Sequence, residues 1–246
     1  ARVVSLMLGE LNGSHLGFSY SRPGFNQAGL ASATTAHLGL RFEVGYGGPG
    51  LKVRDVLDEG PTSRAVSEVK PGEVVLSVDG TPVDATTELP SILNGPLDRD
   101  ITLKIRDGDG KDREIVIRPM SYGQARAMLY EQWVETNRRR IDELSKGKLA
   151  YLHIRAMNMT SFYRFERELV EIAYGKSGLV IDVRENGGGS TTDHLLTILT
   201  QPRHAITVPR GGTEGYPQDR MVYARWDKPI VVLCNQNSFS NAEIFS

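Results

Sequence analysis

Cysteine is nearly absent from this 246-residue chain. Cys234 stands alone, so no intrachain disulfide can form and no cysteine-based zinc cluster can be assembled. Long apolar runs are missing too: none approaches the roughly twenty residues of a membrane helix, so no membrane span is expected. The opening residues Ala1 to Gly9 lack the layout of a signal peptide. An excess of either charge is also absent, with 29 Lys and Arg against 30 Asp and Glu. Without a net field, nucleic acid and anionic membrane surfaces are poor partners. The compartment stays open, leaning to the cytoplasm with export as the alternative.

What is there suffices for two ordinary cores, at 39% apolar residues. Val3 to Leu11 carries the pattern of a short buried helix closed by Asn12-Gly13. It begins without a cap, and Ala242 to Ser246 stops inside another helical pattern, so the chain reads as a piece of a longer protein. Ser21 to Thr35 is rich in Gly, Ser, Ala and Pro and reads as a linker.

Between His37 and Pro119 the signals are of short strands: Leu40 to Val44, Leu51 to Val56, Val74 to Val78, Ile101 to Ile105 and Glu114 to Ile117. Helical stretches at Ser63 to Ser67 and Ala85 to Leu93 interrupt them. Tyr122 to Ser145 reads as a long helix with a charged outer face. Strand and helix then alternate: Lys148 to Ile154, Ser161 to Ala173, Gly178 to Val183, Thr191 to Leu199 and Ile230 to Cys234, the order of an α/β layered domain. The run Leu179-Val180-Ile181-Asp182-Val183 suits a strand covered on both faces, and the loop past its carboxyl end is a natural ligand site.

Two stretches carry chemistry. In Arg184-Glu185-Asn186-Gly187-Gly188-Gly189, three glycines let backbone amides approach a substrate oxygen closely. The spacing is neither that of a Walker loop nor of a dinucleotide fingerprint, and a plain tight turn is the alternative. Ser240 follows the apolar strand Val231 to Cys234 and a turn, and opens a helix. There a serine hydroxyl is exposed and the amide of Asn241 can help bind an oxyanion. Taken alone, Ser240 could be only a helix cap, the commoner job for a serine before a helix. His15, one of five histidines, reads on its own as an exposed loop residue.

Resemblance adds to this. Gly60 to Ala65 followed by Val69 to Val83 resembles the signature of PDZ domains in bacterial proteases. That resemblance implies a peptide-binding loop at Gly39, Leu40, Arg41 and Phe42; a module that merely packs or gates is the other reading. The glycine loop and the Ser-x-Ser-x-x-Glu-Ile core Ser238 to Ile244 resemble those of tricorn and C-terminal-processing serine peptidases. Leu8 to His15 is similar to the Gly-Glu-Leu-x-x-Ser-His segment of the tricorn branch. Gly187, where processing peptidases usually carry proline, and Asn241 point the same way.

The resemblance implies an N-terminal helical segment and linker (1–35), a PDZ domain (36–120) and a crotonase-like α/β peptidase domain (121–246), incomplete at its end. It implies a serine endopeptidase with Ser240 as nucleophile, His15 as base, Ser14 in support and Gly187, Gly188 and Asn241 as oxyanion hole. No metal and no other cofactor is expected. The implied partners are a peptide or unfolded polypeptide and further copies of the same chain. In these families the acid or lysine that completes the machinery lies beyond the nucleophile, so weak or no activity is expected from these residues alone. A non-catalytic scaffold on the same fold and an acyl-coenzyme A enzyme of crotonase type are the competing readings.

Overall fold

The computed structural model describes residues 2–11, 34–202, 208, 210–212 and 224–246. They form a mixed α/β structure that divides into two compact units, Ala1–Tyr122 and Gly123–Ser246. Among the described residues, no helix is long and apolar enough to cross a membrane.

The first unit opens with α1 (Arg2–Gly9). Its Val3, Leu6 and Met7 are exposed rather than buried, because no described residue covers them. Strand β1 (Ala36–His37) pairs antiparallel with β8 (Met120–Ser121). Between them lie β2 (Leu40–Phe42), β3 (Leu51–Val56), β4 (Val74–Val78), β5 (Thr81–Pro82), α2 (Leu89–Leu93), β6 (Ile101–Arg106) and β7 (Asp112–Ile117). The six-stranded antiparallel sheet runs β2-β3-β4-β6-β7, with β5 on β4 and β2 at an edge. Along β6, Ile101, Leu103 and Ile105 alternate into the core with Val53, Val75 and Val78, while Thr102, Lys104 and Arg106 lie on the wetter face. That period of two makes the segment a half-buried strand.

Two expected helices differ. Ser63 to Ser67 is a chain of turns, in which Ser63 and Ser67 donate their hydroxyls to the carbonyls of Gly60 and Pro61. Such side-chain bonds compete with a helical ladder. Helix α2 begins only at Leu89, since Asp84 accepts the amide and hydroxyl of Thr86 and holds that stretch as a turn.

Helix α3 (Tyr122–Ser145) leads into the second unit. There β9 (Leu149–His153), α4 (Met159–Glu171), β10 (Gly178–Asp182), α5 (Thr192–Thr200), β11 (Ile230–Leu233) and α6 (Asn241–Phe245) follow. The three strands are parallel, in the order β9-β10-β11. All of β10 is buried. On one face of the sheet, Val134 of α3 packs with Tyr151 and Val180. On the other, Leu152, Leu179 and Ile181 meet Phe162, Phe165 and Leu169 of α4, Leu195 of α5 and Phe245 of α6. Asn158 caps α4 by accepting the amide of Ser161 at 2.9 Å. Parallel strands deliver their carboxyl ends, and the loops that follow them, to a single edge of the sheet.

Candidate active site

At that edge β10 runs into the glycine loop and β11 into the turn before α6. The two loops are stitched together. Phe239 donates its amide to the carbonyl of Asn186 at 3.0 Å, and Ser238 donates its hydroxyl to the carbonyl of Val183 at 2.8 Å. Glu185, at φ 62°, accepts from the side-chain amides of Asn235 and Asn237.

Ser240 sits at φ 54° and ψ −119°, and the amide of Ala242 closes back on the carbonyl of Phe239 at 3.1 Å. These are the angles of the first central position of a type II′ turn, which glycine normally fills. A serine there holds about 1–3 kcal/mol of strain, as at the strand-to-helix elbows that carry nucleophiles. Although Ser240 is the N-cap of α6, its side chain makes no capping hydrogen bond. The plain helix-cap role is therefore not what this hydroxyl does.

The glycine loop touches this turn. Its first fixed point is Asn186, fully buried, whose amide nitrogen donates to the carbonyl of Ile154 (2.8 Å) and whose side-chain oxygen accepts the amide of Gly188 (2.9 Å). A Cβ on Gly188 would lie 2.6 Å from the carbonyl of Phe239 and 2.9 Å from the Cβ of Ser240. On Gly189 it would lie 2.0 Å from the carbonyl oxygen of Met157, at φ 146°. Neither position has room for a side chain. Met157 completes the frame, donating its amide to Gly188 (3.0 Å) and accepting from Ser190 (2.7 Å).

Of the described histidines, His153 is committed at both ring nitrogens. Nδ1 accepts from the Tyr130 hydroxyl at 2.8 Å, and Nε2 donates to the carbonyl of Arg184 at 3.1 Å. Burial lowers its pKa and keeps it neutral. His194 lies on α5 against the ring of Phe162. Among the described residues no cluster of three or more His, Cys, Asp or Glu could hold a metal ion.

In the first unit, Leu40, Arg41 and Phe42 form the edge strand β2, beside a small cleft of about 90 Å³ between Leu38, Leu40, Phe42, Leu89, Leu93 and Tyr122. The amide of Gly39 donates to Nδ1 of His37 at 3.0 Å. His37 accordingly accepts as the neutral ring, its pKa lowered first by burial and then by Arg41. Arg41 itself pairs with Asp55 on β3.

Residues 148–246 match the model of peptidase family S41, and residues 54–122 match that of the tricorn protease PDZ domain. The chain therefore joins a tricorn-type PDZ domain to a segment of peptidase family S41. A tricorn protease of Thermoplasma volcanium is 31% identical over 71% of this chain and 16% of its own length. A tricorn protease homolog of Saccharolobus solfataricus is 28% identical over 99% of the chain and 22% of its own length. The crystal structure of the tricorn protease superposes with a TM-score of 0.66 at 25% identity, over 87% of this chain and 21% of that one. The chain thus spans about a sixth to a fifth of the length of these curated relatives.

In this chain the structure brings Ser240, Asn241 and Gly188 together and leaves Gly187 exposed at the loop tip. Ser14 and His15 lie outside the described residues. Two roles were not read from the sequence. Asn241 accepts the first amide of α5 from Thr192 at 2.9 Å through its side chain, and Asn186 anchors the glycine loop. Thr192 lies 49 residues from Asn241, and Ile154, which fixes the Asn186 side chain, lies 32 residues from it, so no local pattern announces these two bonds.

Proposed function

We propose that this chain is the nucleophile-bearing part of a serine endopeptidase. In this reading residues 1–35 supply the base, 36–120 form the PDZ domain and 121–246 a crotonase-like peptidase domain. Ser240 Oγ attacks the carbonyl carbon of the scissile bond while His15, supported by Ser14, takes its proton. The tetrahedral oxyanion lies between the backbone N–H groups of Asn241 and the glycine loop. Within that loop Gly187 or Gly188 supplies the second donor, and the amide of Gly188 would have to leave Asn186 to do so. Collapse expels the leaving amine with the proton held by His15, and water hydrolyses the acyl-enzyme. The PDZ cleft gathers an extended peptide segment along β2, the edge strand of its sheet among the described residues.

One observation carries this reading: a serine held in a strained, glycine-preferring turn, its hydroxyl making no capping bond, against a loop in which Gly188 and Gly189 have no room for a side chain. Its test is labelling by a fluorophosphonate together with hydrolysis of a casein-derived peptide library. Ser240→Ala should abolish labelling and lower kcat by at least about 1,000-fold. Ser240→Gly should do the same while raising the urea midpoint, because the turn strain is relieved. Labelling that persists in both variants would sink the assignment.

A further inference from the structure

A second cavity, of about 450 Å³, opens beside the end of β9 between α3 and α4. Tyr130, Glu131, His153, Arg155, Ser161 and Arg164 are among its walls. Their charges are unequally spent. Arg164 is consumed by Glu131, in two bonds of 2.6 and 2.8 Å, and by Glu168 at 2.8 Å. Arg167, also on the wall, lies 3.6 Å from Glu171. Arg155 is different: it makes no ion pair or hydrogen bond with another described residue, and its guanidinium carbon lies over the ring of Tyr130, 4.5 Å from the centroid. A cation held over a ring needs no hydrogen-bond acceptor, so the N–H fork of Arg155 is open to a carboxylate in two parallel bonds.

Location ties this fork to the reaction. Arg155 is two residues before Met157, which hydrogen-bonds both Gly188 and Ser190, and Gly188 abuts Ser240. An extended peptide advancing about 3.3 Å per residue covers that distance within a few residues of the scissile bond. We propose that this cavity is a specificity subsite for an acidic side chain of the polypeptide bound at Ser240, with Arg155 as its recognition residue. One free fork matches one carboxylate, whereas a phosphate dianion would exceed it and face Glu131. The end of α4 adds nothing to the case, since Asn158 already holds the amide of Ser161.

This inference rests on the peptidase reading, and its test separates the two. A peptide series with Glu or Gln walked through the positions flanking one cleavage site is hydrolysed by the full chain. At one position Glu should exceed Gln about tenfold in kcat/KM; Arg155→Gln should bring that ratio to about one, and Arg155→Lys should keep part of it. If no peptide is cleaved and the fluorophosphonate leaves Ser240 unlabelled, the peptidase reading fails. The subsite is then read by fluorescence polarisation of the same labelled peptides on the Ser240→Ala chain, with the same ratios expected in Kd. Equal Glu and Gln values at every position, or a preference that survives Arg155→Gln, overturns the proposal. So does inorganic phosphate that binds at Arg155 and is not displaced by the Glu peptide, which makes the site one for a free anion.

Discussion

Glycine does different work in the β6–β7 hairpin of the first unit and in the glycine loop of the second. In the first, Gly110 turns the chain between β6 and β7 at φ 81° with nothing within 4 Å of where its Cβ would be. In the second, Gly188 and Gly189 are hemmed in by backbone, with carbonyl oxygens 2.6 and 2.0 Å from the same point. A hairpin glycine answers a local need for positive φ, which asparagine can also meet. The loop glycines answer a tertiary one, the approach of two strand ends to a third segment. The first region is built from turns between neighbours in sequence, the second from contacts that its loops make only after the sheet forms.

That contrast is broken most sharply at the loop. Gly189→Ala and Asn186→Ala should each cost about 3 kcal/mol or more, through a forced clash in one and buried partners left unpaired in the other. Peptidase activity should fall with stability; urea denaturation and turnover on one peptide measure both. An unchanged midpoint in Asn186→Ala would mean that the loop is held by other contacts.

Acid sharpens the comparison, because each unit buries one histidine as an acceptor. His37 and His153 both have pKa values lowered from 6.5, mainly by burial. Below that value the unfolded chain binds protons that the folded chain refuses, so their stability contribution is complete above about pH 6.5 and is lost as pH falls toward the lower folded values. Urea midpoints between pH 7.5 and pH 5 should decline. His37→Asn, which keeps an acceptor for Gly39 without titrating, should shallow the slope, and an identical slope would remove His37 from the account. The smallest effect belongs to the open turn: Gly110→Asn should change stability by less than about 1 kcal/mol.

The slow variables of the fold were readable in the residues. The strands Leu51–Val56 and Val74–Val78 and the helix Tyr122–Ser145 have the bounds that their periodicity predicts. Strand β10 lies where a continuous apolar run requires cover on both faces. Ser240 stands between a strand and a helix, as its sequence setting implies. Ser63 to Ser67 was misread as helical because its hydroxyls find carbonyls within six residues, a competition that helix propensity does not weigh.

Composition, periodicity and motif spacing by themselves determined a β-rich segment followed by an α/β segment, and which serine stands between the last strand and the helix after it. Only the tertiary structure decided that the Ser240 hydroxyl caps nothing, that Asn186 rather than substrate takes the amide of Gly188, that Asn241 caps a helix begun 49 residues earlier, and that Arg155 is left without a carboxylate. Secondary structure follows from neighbours along the chain, and these four facts follow from which strand ends the sheet brings side by side.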